Sequence, residues 1–408
     1  MDIPQLLSIF LILLFIALLL YPLARTLHIP YASLLALAGL VSSTVMVNSG
    51  IDTGLRWDNF HQLVFYVLLP ILIFEASLRL KADYFFENIV YILLLAIPLM
   101  LLSTGVIAFL LYQGIGYPEA FPWTVALITA AILSATDPSA VLPVLRRLKV
   151  PERIIAVLEG EGLFSGAMAI VLVSILMVSL QTGHGVGFVG SVIAFAKAFT
   201  GGVFVGMLLG LLAWLLIRFI KEPVLRGVIT LVSAYGSFLL AENVLHVSGI
   251  IAVVFVGLML NAYSQKAEEE TTIFLHAIWE YKAGVASALL FLLLGISIQL
   301  SLLADQWLAI VIGIVATLIA RLVIVFGGLS LGSFLPGTEP FTFKQNSLVL
   351  WGGLRGAVTI ALVLSLPLTT PSYQTIQAIV SGVVLFTLFV QAPTLSIINR
   401  WLIKENQV

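Results

Sequence analysis

The chain has 408 residues, of which 61% are hydrophobic and only 10% are charged, and its formal net charge is −1. A soluble domain carries about 25% charged residues, so this composition predicts a polytopic membrane protein embedded in a lipid bilayer. The absence of cysteine excludes disulfides, thiolate metal sites and cysteine catalysis.

The sequence also lacks a basic patch of the kind that nucleic acid requires, and it has no Walker-type or paired-glycine nucleotide loop. No cofactor and no resident metal are therefore expected. Any uphill transport has to be driven by an ion gradient.

Hydropathy divides the chain into thirteen apolar segments, which indicates an all-α membrane fold. Met1 and Asp2 lead directly into the first segment without a basic start, so this segment is predicted to be a retained helix rather than a signal peptide. The loops are short throughout, and no soluble domain is predicted. The segments run roughly over residues 6–24, 30–48, 61–80, 89–113, 121–146, 152–180, 187–218, 224–246, 248–262, 273–300, 306–334, 346–366 and 373–402.

The basic residues predict the orientation of these segments. Fourteen of them lie on one side of the membrane, whereas only Arg56 lies on the other. This split requires an odd number of crossings and predicts a cell-membrane protein with its N-terminus outside and its C-terminus in the cytoplasm. The fourteen are Arg25, Arg79, Lys81, Arg146, Arg147, Lys149, Arg153, Arg218, Lys221, Arg226, Lys266, Lys344, Arg400 and Lys404.

The fifth segment carries Thr136-Asp137-Pro138 near its middle. A carboxylate at the centre of a membrane helix is costly and is a functional-site hypothesis by default. Because Pro138 cannot donate to the helix ladder, Asp137 is expected where backbone carbonyls are free, as at the ion sites of broken transporter helices. The alternative interpretation is a proline kink with a locally hydrogen-bonded aspartate.

Other charged residues also fall within the segments. Six acids against four bases leave two carboxylates without an obvious permanent partner. In a water-accessible cavity such a carboxylate can bind a proton and a cation in turn, which a proton-coupled carrier requires. Structural pairing or snorkelling is the expected role of Glu242, Lys197 and Arg321. The residues are the acids Glu75, Asp137, Glu159, Glu161, Glu242 and Glu280, and the bases Lys197, Lys282, Arg321 and Arg355.

Six short motifs follow one another in an order that resembles the NhaP-type monovalent cation:proton antiporters, a family that includes the animal sodium/proton exchangers. The resemblance spans nearly the whole chain. The motifs are Leu72-Ile73-Phe74-Glu75-Ala76, Ala135-Thr136-Asp137-Pro138, Glu159-Gly160-Glu161-Gly162-Leu163-Phe164, Trp279-Glu280-Tyr281, Leu290-Phe291-Leu292-Leu293-Leu294-Gly295 and Trp351-Gly352-Gly353-Leu354-Arg355-Gly356-Ala357-Val358.

The resemblance implies an NhaA/NhaP-like antiporter fold of about thirteen transmembrane helices, forming one domain over residues 1–408. Two inverted repeats, about 6–180 and 224–402, would place segments five and twelve as broken helices that cross near the membrane centre. A panel of helices would scaffold a homodimer, and a core would move against this panel.

The resemblance also implies roles for individual residues. Thr136 and Asp137 match the family's Thr-Asp pair on the broken fifth helix. Glu75 matches a glutamate that approaches the ion cavity. Glu161 matches a glutamate that the family pairs with the arginine at Arg355, so a structural ion pair is expected there.

One motif departs from the family. Where the family has Ser-Leu-Phe-Asn-Asp, this chain has Gly162-Leu163-Phe164-Ser165-Gly166, and the lost aspartate is the family's principal ion-binding carboxylate. Two acids could replace it: Asp137, which is expected to lie closest, and Glu75. Lys282 offers another possibility, as a buried base whose proton could be displaced. Thr136 and Ser165 are expected as further ion- and proton-binding residues. Glu159, Gly166 and Lys282 are candidate modulators of this site.

Two functions remain open from the sequence. The first is a secondary transporter that exchanges Na+ or K+ for protons by alternating access, with a role in pH homeostasis. The second is a transport-silent or altered-substrate homologue with a scaffold or sensor role, because Ser165 and Gly166 replace the Asn-Asp pair. An intramembrane hydrolase built on Ser165 is disfavoured, because Leu163 occupies the glycine position of rhomboid-type proteases, and the chain is not expected to be an enzyme.

Overall fold

The computed structural model describes residues 3–27, 30–48, 62–116, 121–138, 142–182, 188–220, 222–264, 269–298, 300–329, 340–395 and 397–398. Across these ranges the regular structure is entirely helical, so the all-α prediction is confirmed. The predicted end of the last segment, near residue 402, lies outside the described residues.

The described part of the chain forms helices that we number α1 to α17 in chain order. A π-helical turn, Val64–Leu68, leads directly into α3. The helices are α1 Ile3–Leu27, α2 Tyr31–Asn48, α3 Leu69–Arg79, α4 Ala82–Glu87, α5 Ile89–Gly114, α6 Trp123–Ser134, α7 Leu142–Arg147, α8 Glu152–Thr182, α9 Phe188–Phe219, α10 Pro223–Val244, α11 Gly249–Ser264, α12 Glu269–Ser297, α13 Leu300–Asp305, α14 Trp307–Gly328, α15 Phe343–Gly352, α16 Ala357–Ser365 and α17 Tyr373–Leu395.

Among the described residues, eight stretches are long and apolar enough to cross a membrane: α5, α8, α9, α10, α12, α14, the α15–α16 pair and α17. Shorter apolar helices lie within α1, α2, α6 and α11. Together with α3, these stretches correspond to the thirteen segments predicted from the sequence.

The long helices pack as two bundles. We call α1, α2, α3, α9, α10, α11 and α12 the panel, and α5, α6, α8, α14, α15, α16 and α17 the core. Both interrupted segments, α6–α7 and α15–α16, contribute to the core. Residues Ala357 to Leu364 of α16 are all buried, as expected for a helix that is apolar on every face and lies at the centre of a bundle.

Two glycines bring α2 and α12 of the panel into backbone contact. A Cβ atom at Gly39 would lie 2.9 Å from the Cα atom of Gly295, and one at Gly295 would lie 2.8 Å from the Cα atom of Gly39. Small residues at such positions allow membrane helices to approach closely and to gain van der Waals contact.

We expect Gly295→Ala to lower the melting temperature in detergent, because the new methyl group forces the two backbones apart at a cost of about 1–3 kcal/mol. Gly284→Ala on the same helix is the matched control, because no atom lies within 4 Å of its added Cβ. The control should be neutral or slightly stabilising. Equal melting temperatures for the two variants would contradict the close contact.

Candidate functional site

The fifth segment is interrupted at the predicted place. Helix α6 ends at Ser134, Ala135 has an extended conformation with ψ of 124°, and the chain stays non-helical through Asp137. Pro138 follows immediately and cannot donate a backbone hydrogen bond. The interruption therefore leaves backbone polar groups in the interior that need partners from elsewhere.

The twelfth segment supplies these partners. Between α15 and α16, residues 353–356 are also non-helical. The Asp137 N–H donates to the Leu354 carbonyl at 2.8 Å, and the Thr359 hydroxyl donates to the Ala135 carbonyl at 3.2 Å. The two unwound stretches thus lie against each other, which confirms the prediction of crossed broken helices.

The Asp137 carboxylate lies at the N-terminus of α16. Its Oδ2 atom accepts a hydrogen bond of 2.8 Å from the Ala357 N–H, the first residue of this helix. The close approach depends on Gly356, because a Cβ atom there would lie 2.5 Å from the same oxygen. The positive end of the helix dipole therefore stabilises the ionised carboxylate.

The Arg355 guanidinium lies at the C-terminal ends of the two other half-helices, α6 and α15. Its Nε donates to the Leu133 carbonyl in the last turn of α6 at 2.9 Å, and its Nη1 donates to the Gly353 carbonyl just after α15 at 2.6 Å. A cation is favoured at these carbonyl ends. Asp137 and Arg355 thus complement the dipoles of the crossing half-helices with charges of opposite sign.

The predicted ion pair between Glu161 and Arg355 is wrong. The Glu161 carboxylate is bound by the guanidinium of Arg321 from α14, with Nη1 on Oε1 and Nη2 on Oε2, the latter at 2.8 Å. Arg321 Nη2 also donates to the Val349 carbonyl at 3.0 Å. The reason for the difference is that backbone carbonyls already occupy the Arg355 donors, whereas α14 brings a second guanidinium into bidentate geometry.

Arg321 is therefore a structural pairing residue, as expected for it, although its partner was not predicted. It is 1% exposed and Glu161 is 2% exposed, so each would be a costly lone charge without the other.

Ser165 binds the unwound backbone rather than the cavity. The Thr136 N–H donates to Ser165 Oγ at 3.2 Å, and the two hydroxyl oxygens lie 2.9 Å apart. The Thr136 hydroxyl also lies 3.5 Å from Glu161 Oε1. Ser165 thus holds Thr136 in place, and among the described residues it is not part of the cavity lining.

A cavity of about 230 Å³ lies where the core meets the panel. It brings together Glu75 from α3, Glu159 from α8 and the adjacent Thr136 and Asp137 from the unwound stretch after α6, and Gly166 lines it as well. Its polar lining consists of Glu75, Arg79, Thr136, Asp137, Glu159, Glu280 and Ser287. Four carboxylates against one guanidinium make this lining strongly negative, and such a surface favours cations.

Ion pairs connect two carboxylates of the cavity lining. Arg79 Nη1 lies 3.4 Å from Glu75 Oε1, and Arg79 Nε lies 3.9 Å from Glu159 Oε1. Arg146 Nη2 contacts the same Glu159 oxygen at 2.9 Å.

Lys282 does not reach the cavity. Its ammonium lies 4.5 Å from the centre of the Trp279 ring, a cation–π contact. Its predicted role as a modulator of the site is therefore not supported by any contact with the cavity in the described structure.

The sequence analysis gave no site role to Arg79 or Glu280. Glu280 faces the cavity from α12, together with Gly284 and Ser287. Gly284 and Ser287 follow Glu280 by four and seven residues, so these three small or polar residues share one face of the helix. This spacing was the signal that could have indicated a cavity-lining face.

Comparison with known proteins identifies the family to which this architecture belongs. A family model described as sodium/hydrogen exchanger, transmembrane, matches residues 11–401 of the chain. The chain belongs to this family. The Na+/H+ antiporter ApNhaP of Aphanothece halophytica is 35% identical to this exchanger-family chain over 375 residues, which are 90% of this chain and 68% of that protein.

Other members of the sodium/hydrogen exchanger family extend the match. The Na+/H+ antiporter NhaH of Halobacillus aidingensis is 32% identical over 393 residues, 94% of this chain and 95% of that protein. The structure of the sodium proton antiporter MjNhaP1 from Methanocaldococcus jannaschii at pH 8 superposes with a TM-score of 0.82 at 20% identity, covering 98% of this chain and 99% of that one. This likeness confirms the antiporter fold.

We expect Glu161→Gln to destabilise the protein strongly, because it leaves the buried Arg321 guanidinium unpaired; breaking such a pair costs about 3–5 kcal/mol. Glu161→Gln with Arg321→Gln should cost less than the sum of the single changes. Melting temperatures in detergent measure this coupling. The same double-mutant cycle with Arg355→Gln in place of Arg321→Gln is the comparison. A stronger coupling of Glu161 to Arg355 than to Arg321 would contradict the observed pairing.

Proposed function

We propose that this member of the sodium/hydrogen exchanger family is a secondary transporter, not an enzyme, that exchanges Na+ or K+ for protons across the membrane without a cofactor. The observation that carries the proposal is the Asp137 carboxylate, which lies at a helix N-terminus in the core and also lines the cavity between core and panel. Such a carboxylate can bind an alkali cation or a proton in turn.

The position of Asp137 supports it as the principal ion-binding residue. Gly166 occupies the position at which the resemblance implies the family's principal ion-binding aspartate. Ion binding in the core therefore has to use another carboxylate. Asp137 lines the same cavity as Gly166, and Thr136 beside it contributes further oxygen atoms. Glu75 from α3 would bind the cation from the panel side, since it lines this cavity as well.

The position of the cavity between two bundles supports alternating access. Hydrogen bonds between the unwound stretches join both broken helices, so the core can move as one body against the panel. Arg79, which lines the cavity, and Arg146, which pairs with Glu159 of the lining, belong to the basic set that predicts the cytoplasmic side. We infer that the described cavity opens toward the cytoplasm, that the N-terminus lies outside, and that the protein is a homodimer in the cell membrane.

A transport-silent homologue is the second candidate, and one observation favours it. The Ser165 hydroxyl binds Thr136, and Gly166 has no side chain, so neither position of the altered motif offers a ligand to the cavity. On this alternative the fold would persist as a scaffold or sensor without ion exchange.

We expect Asp137→Asn to abolish the dequenching of a pH dye that Na+, K+ or Li+ causes in everted vesicles, because the neutral amide cannot take up and release a proton in exchange for a cation. Glu75→Gln should raise the apparent KM for the cation while leaving part of the maximal rate. Asp305→Asn, an exposed aspartate at the end of α13, is the control and should be unchanged. Full activity of Asp137→Asn would overturn the proposed site.

Gly166→Asp separates the two candidates. A Cβ atom at Gly166 would lie 3.3 Å from Val358 Cγ1, so we combine the change with Val358→Ala to make room. A carrier should show exchange in the wild type and a higher rate in the double variant, whereas Val358→Ala alone should resemble the wild type. Wild-type vesicles without exchange at acidic, neutral or alkaline pH, together with an active double variant, would favour the silent homologue.

A further inference from the structure

Arg79 connects the panel to the core at the edge of the cavity. It ends α3 of the panel, and its Nη1 atom lies 3.4 Å from Glu75 Oε1 on the same helix. Its Nε atom lies 3.9 Å from Glu159 Oε1 on α8 of the core. One guanidinium therefore faces two carboxylates that belong to different bundles, and all three side chains line the cavity.

The contacts of Arg79 are looser than those of its neighbours. Charge-assisted hydrogen bonds usually measure about 2.7–2.9 Å, and both Arg79 distances are longer. Arg79 Nε is buried without a hydrogen-bond partner, whereas Arg146 on α7 contacts Glu159 at 2.9 Å. Glu159 thus keeps Arg146 as its partner when Arg79 leaves.

Arg79 can leave the bridge toward water once another cation competes for Glu75. About a third of its side chain, 33%, is exposed, so the guanidinium can turn toward water while its stem stays packed. Within the described lining of the cavity, it is also the positive charge among four carboxylates. A second cation that enters the cavity competes with it for Glu75 and repels it.

We propose that Arg79 is the coupling residue of this exchanger, a tethered cation that bridges Glu75 and Glu159 while the site is empty and that an incoming alkali cation or proton displaces. This inference rests on the proposed function. The empty site holds Arg79 most strongly, because both carboxylates are then ionised, and the bridge keeps the core from moving. A cation or proton at Glu75 removes one of the two attractions that hold Arg79 in the bridging position, so Arg79 turns toward water, its contact with Glu159 opens and the core is free to move.

The bridge explains how the exchange stays obligatory. A core that crossed the membrane empty would turn exchange into a one-way leak of protons or cations. Because the bridge forms only in the empty state, it stops that movement and leaves the loaded movements free. Arg79 acts here through Glu75 and the panel–core contact, so it is a positioning residue and not a ligand of the transported ion.

The first test is cation binding measured as the Na+-dependent rise of the melting temperature in detergent, with choline as the reference. We expect Arg79→Gln to lower the half-saturating Na+ concentration at least about threefold, because the competing charge 3–4 Å from Glu75 is gone. Arg79→Lys keeps the charge and should stay close to the wild type. Lys81→Gln is the matched control, because Lys81 pairs with Glu152 at 3.0 Å outside the cavity lining and both are solvent-exposed.

The second test is leakage. Proteoliposomes receive a pH gradient without any alkali cation, and permeant thiocyanate balances the charge. We expect the gradient to collapse several times faster with Arg79→Gln than with the wild type, Arg79→Lys or Lys81→Gln. Glu159→Gln breaks the bridge but leaves Arg79 on Glu75, so it should also leak while its half-saturating Na+ concentration does not fall. This second variant keeps the test decisive if Arg79→Gln does not fold.

Three results would overturn the inference. They are an Arg79→Gln variant that binds Na+ no more tightly than the wild type, an Arg79→Lys variant that behaves like Arg79→Gln, and a Glu159→Gln variant that does not leak. A wild type that binds Na+ but exchanges nothing would instead contradict the proposed transport, while the binding titration would still decide whether Arg79 competes with the cation.

Discussion

The hydrogen bonds between two unwound stretches of backbone are the constraint on which this structure depends. In the interior of a membrane bundle no bulk water can satisfy free N–H and C=O groups, so a helix can be broken there only if another element supplies partners. Segments five and twelve do this for each other through Asp137, Leu354, Ala135 and Thr359. The same crossing fixes the Asp137 carboxylate at the N-terminus of α16 and so defines the candidate ion site.

The charged residues within the core have different roles because they bind different partners. Arg321 and Glu161 neutralise each other behind the site, and Arg355 caps the carbonyl ends of α6 and α15. Neither arginine is thereby available to neutralise the cavity, which keeps its negative lining. A buried ion pair is weak evidence for stability, but here it removes a glutamate from the set of residues that can bind a mobile cation.

The sequence predicted the thirteen segments and the interruption at Pro138 from local signals, whereas the interruption of segment twelve was implied by the resemblance. It also predicted that Glu75 and Asp137 would share a site, through the resemblance of their motifs to a known family. It paired Glu161 with the wrong arginine, because the choice between Arg321 and Arg355 depends on the packing of α14 and on carbonyls that only the folded crossing exposes. Ser165 was expected at the ion, yet its direction follows from the unwound Thr136 N–H, which no local pattern reveals.

The loss of the usual acid at Gly166 has a consequence for energetics. With Glu161 balanced by Arg321 and Glu159 balanced by Arg146, the charges that remain where the two broken helices cross are Asp137 and Arg355, and they cancel. In the proposed exchange, loading Asp137 with either a sodium ion or a proton changes the charge at this crossing by the same single unit. Both directions of the cycle would carry equal charge through the electric field, so the transmembrane voltage would neither drive nor oppose the exchange, and only the two concentration gradients would set its direction.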